Sequence, residues 1–347
     1  MYLTEREIFS QYDALRKTYD YITARAQEIK AVYQKHQPRS LTFIGSGSGY
    51  CLCQSAESST KMRLGLAANA LAAGDLLVNF EHYKGLLEGS MLIAPSRSGG
   101  TSEVVLAVEK AMAMGVPVIG ISAKEGSPLS YRADLVLEIP WAFDESVCQT
   151  RTVTNLYTAN LLLIAIWADD QRLLAEIDRA IQNGPAFMER YAPLAQEVAK
   201  GEWDNVVILA DSELDGIASE AAIAFVEIPQ VHANYYHVLD VRHGPMVLIG
   251  EKTLVIAALS PEDAELQKDL IKDLKDKGAK VLTVSQAGTA WGADWEVEIP
   301  QYANFAVAGI PFIFLPQSVG FYKALNKGLN PDVPAGLAPM IDLNNNG

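Results

Sequence analysis

Two stretches decide the fold when set side by side: residues 91–122, MLIAPSRSGGTSEVVLAVEKAMAMGVPVIGIS, and residues 253–285, TLVIAALSPEDAELQKDLIKDLKDKGAKVLTVS. Each opens on an uninterrupted apolar run, breaks at a polar loop, continues with helical periodicity and returns past a glycine to a second apolar run. Runs that are apolar on both faces belong to parallel sheets covered by helices on either side. Each stretch is followed by a further run ending Glu-Ile-Pro, at Asp134–Pro140 and at Trp295–Pro300. The shared order predicts an α/β protein of two three-layer αβα domains with parallel sheets, related by internal duplication.

Further strands are expected from Leu41 (LTFIGSGSG) and Asn205 (NVVILADSE). Residues 1–38 read as one packing helix, because Ile8, Tyr12, Leu15, Tyr19, Ile22 and Ile29 recur at three- and four-residue steps. The expected division is a first domain over 39–170, a linker helix over 171–202, a second domain over 203–328 and a tail over 329–347.

The chain has 347 residues, 49% of them hydrophobic, with mean hydropathy +0.08, a globular composition. Its 28 Lys and Arg against 42 Asp and Glu give a net charge of −14, which argues against a nucleic-acid partner. An anionic ligand must therefore be held locally. Cys51, Cys53 and Cys148 have neither disulfide-framework nor zinc spacing, so a reducing cytoplasm is expected and no metal or other cofactor is implied. No export signal is apparent, and no run of about 18 uncharged apolar residues suggests a membrane span.

The duplicated halves differ where chemistry would sit. The loop after the first strand is Ser96-Arg97-Ser98-Gly99-Gly100-Thr101-Ser102 in one half and Ser260-Pro261-Glu262-Asp263 in the other. Ligands of open α/β sheets bind off the carboxyl ends of the strands, beside helix N-termini. The first loop suits a phosphate and the second would repel one, although Thr101 or Ser102 would equally serve as a helix cap. Gly45-Ser46-Gly47-Ser48-Gly49-Tyr50 is a second strand-to-helix turn and matches neither nucleotide fingerprint. In Glu145–Thr152, one of Thr150 and Thr152 is expected to cap the following helix, which leaves the other hydroxyl and Arg151 for ligand.

Glu227 closes an apolar helix terminated by Pro229. Burial there would raise its pKa and make it a candidate general base; pairing with a nearby cation is the plain alternative. His243, in Arg242-His243-Gly244-Pro245, is a candidate acid/base, whereas His232 and His237 read as core or rim residues.

Taken in this order, these pieces resemble the double-SIS (sugar isomerase) family, over Leu41 to about Leu337. Ser96–Thr101 looks like its SxSGxT phosphate loop, and Glu227 with Arg242–Pro245 like its catalytic Glu and HGP motif. The resemblance implies two flavodoxin-like SIS domains. It assigns a sugar phosphate to Ser96, Arg97, Ser98 and Thr101, with Ser48 lining the pocket beside it; Gly47 of the same turn, and Thr150 and Arg151 from the segment before the next helix, are expected in the pocket on the reading of their own loops. It makes Glu227 the base for C1/C2 proton transfer and His243 the ring-opening acid/base, contributed to a neighbouring subunit's site in a homodimer. Ala224 stands where the family's glucosamine-phosphate synthases carry a lysine, and the tail Asn330–Pro339 also lacks one. With no N-terminal Cys nucleophile either, glutamine-dependent synthesis is not expected. Arg151, where many relatives carry Lys or Ser, points to an extra polar or anionic substrate group. The implied activity is isomerisation of a hexose 6-phosphate, or its amino-sugar version with deamination. A deglycase acting on 6-phosphofructosyl-amino acids is the runner-up, and a non-catalytic sugar-phosphate sensor is the alternative of another class.

Overall fold

The computed structural model describes residues 1–338 and 343. The chain forms two compact units: Met1–Phe9 with Arg179–Leu337, and Ser10–Asp178 with the described tail residues Ala338 and Leu343. Of the expected tail, Pro339–Asp342 and Asn344–Gly347 lie outside the described residues.

The Ser10–Asp178 unit contains α2 (Gln11–Ala24), α3 (Ala26–His36), β1 (Ser40–Gly45), α4 (Ser48–Leu64), β2 (Ala67–Ala72), α5 (Ala73–Val78), α6 (Phe80–Leu87), β3 (Ser90–Ser96), α7 (Ser102–Ala113), β4 (Val118–Ser122), β5 (Leu135–Glu138) and α8 (Arg151–Trp167). Its strands are all parallel in the order β2-β1-β3-β4-β5. α9 (Gln171–Val198) leads into the other unit, which also includes α1 (Leu3–Phe9). There follow β6 (Asn205–Leu209), α10 (Asp215–Glu227), β7 (His232–Tyr236), β8 (Thr253–Leu259), α11 (Ala264–Asp276), β9 (Lys280–Gln286), β10 (Trp295–Ile299), α12 (Gly309–Phe312) and α13 (Phe314–Asn326). Its order, β10-β9-β8-β6-β7, is the same arrangement, 2-1-3-4-5 when strands are counted within the unit. That is the flavodoxin-like order, whose crevice opens where the first and third strands diverge. The central strands β3 and β8 are buried at every residue, as doubly covered strands must be.

The expected single helix over 1–38 is three helices. Ser10 (φ −104, ψ 6) and Arg25 (φ −97, ψ 11) leave helical geometry. Arg25 does so while donating to the carbonyl of Val136 at 2.7 Å and pairing with Glu28 at 2.8 Å. β2 and β7 were not expected as strands. Both are edge strands, and the Ala-rich AANALA of β2 is strand only because it pairs along its length with β1. One run does reach spanning length: Phe305–Asn326 is apolar enough to cross a membrane by length and composition, and 89% of its window is buried inside the protein. It reads as a core segment, the same signal arising from burial in protein.

α8 starts differently from expectation. Thr150 stands at the N-cap position but makes no side-chain capping bond. Instead the buried carboxylate of Asp144 accepts from the amides of Thr150 and Thr152, both at 2.8 Å. The Thr152 hydroxyl donates to the carbonyl of Ala142 at 2.6 Å. Burial pushes the Asp144 carboxyl up, against the pull of those amides and of Arg151. The folded chain therefore holds the Asp144 proton more tightly than the unfolded chain, and this residue's contribution to stability falls as pH rises above the ordinary carboxylate range. Asp144→Ala should cost about 1–2 kcal/mol in urea unfolding. The margin of wild type over Asp144→Asn should shrink as pH goes from about 4 to about 7; a margin that grows would contradict the assignment.

Candidate functional site

In the Ser10–Asp178 unit a cleft of about 330 Å³, open solvent included, is lined by Ser46, Gly49, Pro95, Ser96, Arg97, Ser98, Thr101, Val104 and Gln149. It lies at the carboxyl ends of β1 and β3, beside the start of α7, where helix amides lack intrahelical acceptors. The loop is shaped by its own hydroxyls. Ser96 Oγ accepts from the amide of Gly99 at 3.0 Å, and Ser98 Oγ from that of Gly100 at 3.2 Å. Gly99 has φ 57, and a Cβ there would lie 2.1 Å from Ser127 Oγ, so no other residue fits. Thr101 stands at the N-cap of α7 without making a capping bond, and its hydroxyl lies 3.5 Å from Ser98 Oγ. Thr101 therefore does not cap the helix through its side chain. The result is hydroxyls and amides around a helix N-terminus, a chemistry suited to an anion.

Ser96, Arg97, Ser98 and Thr101 are thereby brought together. Arg97, 7% exposed, spends Nη1 on the carbonyls of Ser146 (3.0 Å) and Val147 (2.9 Å), tying the Ser96–Thr101 loop to the segment before α8. The turn after β1 enters the cleft through Ser46 and Gly49, whereas Gly47 is the N-cap of α4 and Ser48 is buried as its first residue. Gly45 is obligatory in this turn, since a Cβ would lie 2.4 Å from the backbone of Gly49. Thr150 is fully buried and lines no part of the cleft. Arg151 is engaged within the protein: it donates to Ser10 Oγ at 3.1 Å and to the carbonyl of Phe143, and lies 3.7 Å from Asp144. The residue that segment does offer is Gln149. It is half-buried between buried Cys148 and Thr150, an in-out-in alternation that the sequence reading did not use.

Glu227 and His243 belong to the other unit. Glu227 is the last residue of α10 and is half-buried rather than enclosed, beside Val226, which is 50% exposed. His243 is exposed. The motif around it is anchored by Arg242, whose Nε and Nη2 donate to Asp273 Oδ2 at 3.0 and 2.5 Å, and it continues through Gly244 (φ 126) to Val247 and Leu248, 81% and 70% exposed. His237, also exposed, places Nδ1 2.9 Å from Asp211 and 3.1 Å from the Tyr235 hydroxyl, which donates to the carbonyl of Ala210. Burial and the carboxylates of Asp215 and Asp211 push the Tyr235 hydroxyl up. His232 is an exposed residue at the start of β7.

In this unit the loop after β8 is closed on itself. The side chain of Gln267 accepts from the amide of Ser260 (3.1 Å) and donates to the carbonyls of Ser260 (3.1 Å) and Glu262 (2.6 Å). The loop thus satisfies itself where its counterpart after β3 presents hydroxyls to a cleft.

Comparison with known proteins places this geometry in context. The SIS domain matches residues 36–166 and 202–293, more than half of the chain. A glutamine--fructose-6-phosphate aminotransferase of Pyrobaculum aerophilum is 28% identical over 264 residues, 72% of this chain and 43% of that protein. The Shewanella oneidensis aminotransferase of the same name is 23% identical over 97% of this chain and 58% of its own length, so the chain spans about half the length of the curated relatives it matches. Among solved structures, glucosamine-6-phosphate deaminase from Thermotoga maritima superposes with TM-score 0.82 at 26% identity, covering 98% of this chain and 99% of that one. Tagatose-6-phosphate ketose/aldose isomerase from Escherichia coli shares the fold, with TM-score 0.85 at 20% identity over 98% and 96% of the two chains. The chain belongs to the SIS domain family and carries two SIS segments.

Proposed function

We propose that this protein is a phosphosugar-metabolising enzyme that interconverts aldose and ketose forms of a hexose 6-phosphate or amino-hexose 6-phosphate, with loss of ammonia where the substrate carries nitrogen. The observation that carries the reading is the cleft at the Ser96–Thr101 loop: hydroxyls beside the uncapped start of α7, in a protein of net charge −14, form a local seat for a phosphate. The names of structural neighbours, a glucosamine-6-phosphate deaminase and a tagatose-6-phosphate ketose/aldose isomerase, support the same substrate class.

In this reading Ser96, Ser98 and Thr101 hold the phosphate and Arg97 fixes the loop. Glu227 removes the proton from one of C1 and C2 and returns it to the other through an enediol or enamine, and His243 opens the sugar ring. Exposed His243 flanked by Val247 and Leu248 supports a homodimer in which this histidine completes the neighbouring subunit's site. Three buried free cysteines support a cytoplasmic location.

The test is incubation with glucosamine 6-phosphate, galactosamine 6-phosphate, fructose 6-phosphate and a 6-phosphofructosyl-amino acid in D2O, followed by NMR and mass spectrometry. Deuterium at C1 or C2 identifies an isomerase and ammonia release a deaminase. A freed amino acid identifies the deglycase, and binding without exchange or turnover the sensor. Glu227→Gln should abolish exchange while sugar-phosphate affinity stays within about threefold; retained exchange removes Glu227 from the mechanism. Ser98→Ala with Thr101→Ala should raise KM about tenfold or more, and an unchanged KM would move the phosphate elsewhere. Val247→Asp with Leu248→Asp should yield monomers in analytical ultracentrifugation with activity lost; an active monomer would rule out the shared site.

A further inference from the structure

The turn that follows Glu227 is held by a lysine from another helix of the same unit. α10 stops where it does because Pro229 has no amide to offer the carbonyl of Phe225, four residues back. That carbonyl is taken instead by the amide of Val231 at 3.1 Å, which becomes possible when Gln230 adopts left-handed backbone, φ 51. The intervening carbonyls, those of Pro229 and Gln230, accept from Lys327 Nζ at 2.6 and 3.0 Å. Lys327 stands at the C-cap of α13, and α13 meets the same turn about two turns of helix earlier, where a Cβ on Gly320 would touch the Pro229 ring at 3.5 Å.

The C-terminus of α13 favours a cation, but its last turn already carries one ammonium. Lys323, four residues earlier, points its Nζ at the carbonyl of Gly201 (2.6 Å) and sits 4.0 Å from the centre of the Trp203 ring. Like charges at this spacing oppose each other. Burial and then Lys327 push the Lys323 ammonium down. The two carbonyls after Glu227 are what Lys327 answers to: charge-assisted bonds to a helix C-terminus that proline and a left-handed residue have left open.

We propose that Lys327 is a positioning residue for Glu227, fixing the end of α10 from which the base reaches its substrate. The inference rests on the reading of Glu227 as that base. A reacting group displaced by about 1 Å can lose up to about 10²-fold in rate, so a clamp two residues from the base has leverage on kcat that its surface position does not suggest.

The test compares wild type, Lys327→Met, Lys327→Arg and Glu227→Gln. Amide hydrogen exchange over residues 224–236 needs no substrate: Lys327→Met should speed exchange in the 228–231 turn about tenfold or more, with distant segments unchanged. On the sugar phosphate of the panel that wild type turns over, Lys327→Met should lower kcat about tenfold or more with KM within about twofold, and Lys327→Arg should recover most of it. Unchanged exchange in the turn, or unchanged kcat in Lys327→Met beside an inactive Glu227→Gln, overturns the role of Lys327 alone. A wild type silent on the whole panel, or an active Glu227→Gln, retires the reading of Glu227 and this role with it.

Discussion

The cleft is organised around one requirement: the first amides of α7 have no acceptor inside the helix, and Thr101, which stands at the capping position, makes no side-chain cap. Thr101 turns its hydroxyl toward Ser98, Ser98 spends its oxygen on Gly100, and Ser96 binds Gly99. Each internal bond shapes the loop while leaving the helix terminus without a side-chain cap. Gly99 makes this possible, since the segment carrying Ser122 and Ser127 leaves no space for a Cβ beneath it.

The duplication supplies an internal control. Both units have the same strand order and a loop-to-helix turn after the third strand, so the fold alone does not make a ligand site. After β8 the turn contains Glu262 and Asp263, and Gln267 from the following helix binds backbone groups on both sides of it. One copy closes its turn with a side chain and surrounds it with carboxylates; the other leaves hydroxyls facing a cleft. That asymmetry separates a structural sheet from a site, and it is written in a handful of residues.

The legibility of the sequence follows from this. Of the ten strands among the described residues, eight are visible as apolar or alternating runs: burial on both faces removes polar residues from central strands such as β3 and β8, while the edge strand β10 alternates exposed Glu296 and Glu298 with buried Val297 and Ile299. The two that are not, β2 and β7, are edge strands, for which pairing rather than composition decides. The hydroxyl loop is legible because its chemistry is local. The fate of the arginines is not, since an arginine beside a ligand loop and an arginine bracing a loop look alike until their acceptors are known. Asp144 escaped notice as the cap of α8 for the same reason: it lies six residues before the first amide it binds.

Those arginines give the site its coherence. Arg97 reaches from the Ser96–Thr101 loop to the carbonyls of Ser146 and Val147, while Arg151 and Asp144 secure the same segment from the α8 side. Gln149 is therefore carried into the cleft by a loop pinned at both ends, and its position is set by residues that need not touch a ligand. An arginine donor spent on buried carbonyls satisfies groups that would otherwise cost about 1–3 kcal/mol each. It also couples two loops that are 50 residues apart in sequence. Removing Arg97 would thus do more than subtract a positive charge from the cleft: it would release the segment that presents Gln149, so the two losses arise from a single side chain.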